Sequence, residues 1–221
     1  FFGVCVKTGT KGVLISIEGI DGSGKSTQCN LLSAYLKEVC ITATVVKAKN
    51  EEQNKSFKEF IKAFGITSDS ISFAFLYQAL HRRQFELTRH ELDNKKIVIA
   101  DRWNPSFFVF HNIFGHLADK PHVRKCLDDL AFEGLEPDIC FLLDVPVKTA
   151  FQRRSKRKTE ALPNKQELGF YQSISAEYHK LAAEKEWVTI DAQLPAEEIH
   201  RQIVLMIKKT LLEKAKIYIG A

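Results

Sequence analysis

The chain has 221 residues, 45% apolar and 27% charged, which excludes intrinsic disorder and suits one domain with a buried core. Its 32 basic and 27 acidic residues leave a net charge of +5, which suits anionic small molecules but lacks the concentrated excess of a dedicated nucleic-acid binder. No stretch approaches the ~18 uninterrupted apolar residues of a membrane span, so neither nucleic acid nor membrane is expected as a partner.

In chain order, Phe1-Phe2-Gly3-Val4-Cys5-Val6 has neither the basic start nor the small-residue cleavage site of a secretory signal. Residues 1–11 read as an N-terminal extension and residues 12–221 as one domain. Five short apolar runs follow: Val13-Leu14-Ile15-Ser16-Ile17, Ala43-Thr44-Val45-Val46, Ile97-Val98-Ile99-Ala100, Ile139-Cys140-Phe141-Leu142-Leu143 and Val188-Thr189-Ile190. Nearly unbroken rather than alternating, they predict strands buried on both faces. Helical spacing fills the intervals, with Leu31, Tyr35 and Val39 on one face of the first helix and Ile199, Ile203, Ile207 and Leu211 on one face of the last. Strands alternating with helices predict an α/β fold, a parallel sheet covered on both sides, with its ligand site beyond the carboxyl ends of the strands. Three of those ends carry acid: Asp101, Asp144 and Asp191. Cys5, Cys29, Cys40, Cys126 and Cys140 never form a CxxC pair, which predicts reduced, mostly buried thiols and a cytoplasmic protein.

The first strand leads into Gly19-Ile20-Asp21-Gly22-Ser23-Gly24-Lys25-Ser26-Thr27, which contains Gly-x-x-x-x-Gly-Lys-Ser before an amphipathic helix. Glycine lets the backbone curl round a phosphate, and successive N–H groups at a helix N-terminus face the anion. Lys25 reaches the outer phosphates and the Ser26 hydroxyl ligates Mg²⁺, so the loop reads as a site for a nucleoside triphosphate. After the third strand come Asp101-Arg102-Trp103-Asn104-Pro105-Ser106. Asp101 either holds the Mg²⁺ shell, orients a nucleophile or caps a helix; Arg102 offers a planar fork to phosphate or pairs structurally with Asp101.

A resemblance now joins these pieces. Ile17 to Gln28, Asp101-Arg102-Trp103 with Ser106 and His111, Pro137-Asp138 leading to Leu143-Asp144-Val145-Pro146, and Ile190-Asp191-Ala192 stand in the order and at the intervals of the thymidylate kinases, within the nucleoside monophosphate kinase group. The chain resembles that family from about Gly12 to Leu212. The resemblance implies a three-layer P-loop kinase fold, with a five-stranded parallel sheet, helices on both faces and a small basic lid over about residues 153–168. It implies ATP with Mg²⁺ as donor, dTMP as acceptor and a homodimer. Asp21, Asp101 and Arg102 would surround the acceptor phosphate, while Lys25 and Ser26 serve ATP and the metal. Another nucleoside monophosphate, a deoxynucleoside, or an ATP-binding regulator without transfer activity are the alternatives.

The lid reads from the basic, acid-free run Arg153-Arg154-Ser155-Lys156-Arg157-Lys158, which would close over ATP and stabilise charge on the moving phosphoryl group; the bland alternative is a solvated basic face. Gly22-Ser23 in the loop makes the chain similar to the form of the family whose arginine lies in the lid. Glu167 stands where a lid glutamate is expected. On the acceptor side Tyr77 and His81 keep the four-residue spacing of the family's ring-stacking aromatic and base-edge arginine, with Arg82 a substitute if the register slips by one. His111 replaces a Gln or Asn near the base, and Lys47 and Lys49 stand where the family has Arg-Glu-Pro. The adenine pocket is expected near Asp191-Ala192-Gln193.

Overall fold

The computed structural model describes residues 12–94, 96–113, 117–158 and 163–219, without the side chains of 112, 157, 158 and 211–219. The expected N-terminal extension lies outside them. In chain order the elements are β1 (Val13–Glu18), α1 (Lys25–Glu38), β2 (Ala43–Val46), α2 (Glu51–Ala63), α3 (Ile71–Asp93), β3 (Ile97–Asp101), α4 (Asn104–Ile113), α5 (Pro121–Phe132), β4 (Ile139–Asp144), α6 (Val147–Lys158), α7 (Lys165–Glu184), β5 (Val188–Asp191) and α8 (Ala196–Ile219). All five expected strands form, paired in parallel in the order β2-β3-β1-β4-β5. Helices cover both faces, the three-layer arrangement expected from the alternation.

β1 is central because its six residues are all buried and apolar or hydrogen-bonded. Its register sets Ile17 opposite both Asp101 of β3 and Phe141 of β4. The loop that leaves β1 therefore starts level with Asp101, at the point where the strand order turns from one side of the sheet to the other. Burial on both faces holds for β1, β3 and β4, apart from Asp101 and Asp144 at the ends of β3 and β4. The edge strands differ: β2 is mostly half-buried, and β5 exposes Thr189 and Asp191. An edge strand has one neighbour, so helices shield it less completely.

The first helix also turns a different face inward. Its buried residues include Cys29, Leu32 and Leu36, whereas Leu31 and Tyr35 are half-buried and Val39 is exposed. The phosphate loop fixes the rotation of α1 at Lys25, and Tyr35 packs instead on His200 of α8, ring centroids 5.8 Å apart. In α8, Ile199, Ile203 and Ile207 are buried as the spacing predicts; the Leu211 side chain lies outside the described residues. Two of the cysteines, Cys29 and Cys140, are buried, while Cys40 and Cys126 are exposed and Cys5 is not described. Among the described residues no helix is long and apolar enough to cross a membrane.

Glu167 is a helix cap. Its carboxylate accepts the Asn164 N–H at 2.9 Å while Asn164 Oδ1 accepts the Glu167 N–H at 2.9 Å, closing the N-terminus of α7. The glutamate expected in the lid is thus committed to starting a helix.

Candidate active site

The loop between β1 and α1 has the backbone its glycines require. Gly22 has φ +93° and lies against α6, where a Cβ would sit 2.4 Å from the Ala150 carbonyl oxygen. Gly24, at φ 100°, is the N-cap of α1 and contributes no side-chain hydrogen bond, so no side-chain cap competes for the first-turn N–H groups of Lys25, Ser26 and Thr27, a helix start of the kind that suits an anion. Gly22→Ala should cost about 3 kcal/mol, combining left-handed strain with overpacking, and should also weaken ATP binding. Thermal unfolding and an ATP titration check both effects.

Lys25 arches back over the loop, its Nζ donating to the Ile20 carbonyl at 2.8 Å. Burial, with the nearby Arg102 charge, lowers its pKa from 10.5 to about 8, against the pull of Asp21 and Asp101. Ser26 Oγ donates to Asp101 Oδ2 at 2.6 Å, joining the helix start to the end of β3. A hydroxyl and a carboxylate oxygen form a hard donor pair that fits Mg²⁺, an ion that takes its remaining ligands from water and phosphate. Of the three strand-end acids Asp101 is the one hydrogen-bonded to the motif: Asp144 bonds His179 at 3.0 Å, and Asp191 accepts the Gln193 N–H at 2.9 Å. Ile20 and Ser23 are buried beneath the loop.

Arg102 is held from every side. Its backbone is left-handed at φ 75°, uncommon for a residue with a Cβ, and Gln84 Nε2 fixes its carbonyl at 2.9 Å. The guanidinium donates to Asp21 Oδ1 at 2.6 Å, to Tyr178 OH at 2.7 Å and to Ser106 Oγ at 3.2 Å. Burial works to raise the Asp21 pKa, but the Arg102 and Lys25 charges outweigh it and hold that carboxyl well below its usual range. Beneath lies Glu18, fully buried, accepting hydrogen bonds from Ser16 Oγ at 2.8 Å, the Trp103 N–H at 2.6 Å and Ser106 Oγ at 2.7 Å. Desolvation raises the Glu18 pKa, opposed by the Arg102 charge and these donors. Ser106 thus joins the arginine to the glutamate beneath it.

Beside this cluster α2 and α3 form an aromatic wall. Lys49 Nζ lies 4.1 Å from the centroid of Phe57 and 3.9 Å from that of Tyr77, and donates to Tyr77 OH at 2.6 Å. Burial lowers the Lys49 pKa to about 8; Lys58 adds to the fall and Asp21 opposes it. Lys47, the other lysine there, is exposed beside β2. One turn after Tyr77, His81 is buried among Tyr77, Phe107 and Phe132. His111 packs on Phe107, ring centroids 4.6 Å apart and tilted by 51°, and burial with the nearby Arg124 lowers its pKa to about 4. Arg82 is not brought here: it bonds Glu86, Glu133 and the Leu130 carbonyl on the outer face between α3 and α5.

The basic run forms the second half of α6 and divides in function. Arg153 Nη2 donates to the Ala192 carbonyl at 2.8 Å, tying α6 to the turn after β5 where the adenine pocket is expected. Arg154 Nη1 donates to Tyr171 OH at 3.1 Å, lies over the Phe151 ring and lowers the Asp21 pKa through space. Arg154 therefore faces the phosphate loop. Lys156 is exposed, and the side chain of Arg157 lies outside the described residues.

Glu18, Gln84, Tyr178 and Phe57 belong to this site without having been singled out in sequence. Glu18 alone had a signal, as a charged residue ending an otherwise apolar strand. The others depend on which helix packs where.

Over residues 17–203 the chain matches the family model for thymidylate kinase. It is 37% identical over 196 residues to a thymidylate kinase of Fervidobacterium nodosum, covering 87% of this chain and 96% of that one. A thymidylate kinase of Prochlorococcus marinus (strain NATL2A) is 32% identical over 217 residues, covering 92% of this chain and all of its own. The solved thymidylate kinase of Ehrlichia chaffeensis superposes with a TM-score of 0.64 at 23% identity over 89% of this chain and 98% of its own, which speaks for the fold. With the phosphate loop, the Asp101–Arg102 strand end and the sheet order already in hand, these matches establish that the chain belongs to the thymidylate kinase family, a branch of the P-loop nucleoside monophosphate kinases.

Proposed function

We propose that the protein transfers the γ-phosphoryl group of ATP to dTMP, directly and in line, giving dTDP and ADP. The observation that carries this reading is the convergence of Lys25, Asp21 and Arg102 at one end of the sheet, an arrangement suited to two phosphates held face to face. Catalysis then consists of positioning two anions and compensating the charge that moves between them.

In this reading Gly19 through Thr27 bind the ATP phosphates, and Lys25 bridges them to the acceptor. Ser26 and Asp101 would hold Mg²⁺, which when bound neutralises phosphate charge. Arg102 orients the acceptor phosphate, backed by Glu18, Ser106 and Tyr178. Arg153 and Arg154 close over ATP, and Arg157 continues the same basic run. Tyr77, His81 and His111 border the acceptor base, with Lys49 beside them. Arg82 is left out because its guanidinium is committed to Glu133 on the opposite side of α3.

Arg154→Ala should lower kcat by about 10²-fold or more with little change in KM for ATP, as expected of a charge that acts on the transferring group. Arg153→Ala should mainly raise KM for ATP, because its partner lies in the turn after β5. Steady-state kinetics of both variants separate the roles, and an unchanged kcat in Arg154→Ala returns the run to a solvated surface. The function itself is tested by ADP release with Mg²⁺-ATP against a panel of nucleosides and monophosphates, including a reaction without acceptor. Stimulation by dTMP is expected; stimulation by another acceptor reassigns the substrate, and hydrolysis without any stimulation removes the kinase reading.

A further inference from the structure

His81 has its proton on a fixed nitrogen. Gln78 Nε2 lies 2.9 Å from the Leu127 carbonyl oxygen, an atom that only accepts hydrogen bonds. The amide must therefore turn its NH₂ toward Leu127, which leaves Gln78 Oε1 facing His81 Nδ1 at 2.6 Å. An amide oxygen is also only an acceptor, so Nδ1 carries the hydrogen and donates. His81 is 6% exposed and packed among Tyr77, Phe107 and Phe132, with Lys49 and His111 as its charged or titratable neighbours. Burial, reinforced by both, lowers its pKa to about 3, so a second proton is absent at neutral pH. Nε2 then bears a lone pair, and no described residue supplies it with a hydrogen-bond donor.

We infer that His81 offers the acceptor nucleotide a hydrogen-bond acceptor rather than a donor. The site then takes a pyrimidine through a donor on its pairing edge, either thymine N3–H or a 4-amino group. The inference rests on the nucleotide-kinase reading and deepens it. A ring lying along Tyr77, with its phosphate at Arg102 and Lys49, places that edge one helical turn further along α3, at His81. A fixed donor such as an arginine favours the O4 carbonyl of thymine and turns away the N4 amine of cytosine. A fixed lone pair removes that discrimination. Gln78 is the positioning residue, since the Leu127 carbonyl sets the histidine's polarity through it.

The test compares dTMP with 5-methyl-dCMP, which differs from it at the pairing edge and keeps the methyl group. The wild-type protein should use the two with kcat/KM values within about tenfold, and His81→Arg should lower the ratio of 5-methyl-dCMP to dTMP by about 10²-fold or more. Wild-type rejection of 5-methyl-dCMP by more than about 10³-fold, with dTMP turned over normally, overturns the inference and leaves the kinase reading intact. Failure of both nucleotides to stimulate ADP formation overturns the kinase reading and the inference with it. Nitrogen-15 NMR of the imidazole gives a check independent of turnover and of any variant: a protonated Nδ1 and bare Nε2 at His81 are expected, and the reverse tautomer overturns the inference.

Discussion

Lys25→Ala should reduce phosphoryl transfer by at least about 10³-fold while the protein stays folded, because it removes a positioned charge from the place where charge moves. Lys25 Nζ has one observed partner, the Ile20 carbonyl at 2.8 Å, and that oxygen lies at a loop that water reaches once the side chain is gone. Circular dichroism and thermal unfolding establish that the fold survives; near wild-type turnover in a folded variant would remove the phosphate-loop assignment. A pH profile adds a second check. Burial lowers the lysine's pKa from 10.5 to about 8 in the free protein, so its charge is present below that pH and lost as pH rises through it. The value of kcat/KM for ATP, which reports the free enzyme, should therefore fall above pH about 8. Bound phosphates favour the charged lysine, so kcat should hold to higher pH. The sign for stability is the reverse of the usual cation case: a lowered lysine pKa means that folding disfavours the proton. Its unfavourable contribution is fully present below about pH 8 and is relieved as pH rises toward the unfolded value of 10.5.

Glu18→Ala should be the most destabilising single change near the site. It strands Ser16 Oγ and the Trp103 N–H in a region without solvent, takes from Ser106 Oγ its carboxylate acceptor and leaves it only Tyr178 OH to donate to, and leaves the Arg102 charge short of a buried counter-charge. Orphaned buried donors cost about 1–3 kcal/mol each, and breaking a buried ionic network by removing one partner costs about 3–5 kcal/mol in total. At this chain length that corresponds to a fall in Tm of roughly 10 °C. Glu18→Gln should recover most of the stability, since the Ser106 hydroxyl can rotate to accept from the new amide. It should not recover kcat in full, because the left-handed Arg102 loses the negative charge beneath it. Equal recovery of stability and turnover would make Glu18 structural only.

Much of this was legible in the chain. The five apolar runs had the length and β-branched content of buried strands, and the glycine loop between the first run and a helix read as a phosphate cradle rather than as a chance turn. The family motifs then placed Asp101 and Arg102 beside that loop. Their spacing along the chain is large, but strands β1 and β3 are neighbours, and the register brings Ile17 level with Asp101.

The local sequence determined what each segment is, because strand formation, helix capping and phosphate binding by a turn depend on residues within a few positions of one another. Packing partners depend on residues far apart, and there the sequence was silent or misleading. The buried face of α1 was set by the loop that starts it and by the arrival of α8. Glu167, plausible as a lid residue by position, was claimed by Asn164 for a helix cap. Arg82 and His81 are neighbours in sequence, yet one turns outward to Glu133 and the other inward to Gln78. The polarity of His81 lies furthest from sequence of all: it follows from a carbonyl of Leu127 on another helix, 49 positions from the glutamine it binds, and only the packing of α5 on α3 brings that oxygen into range.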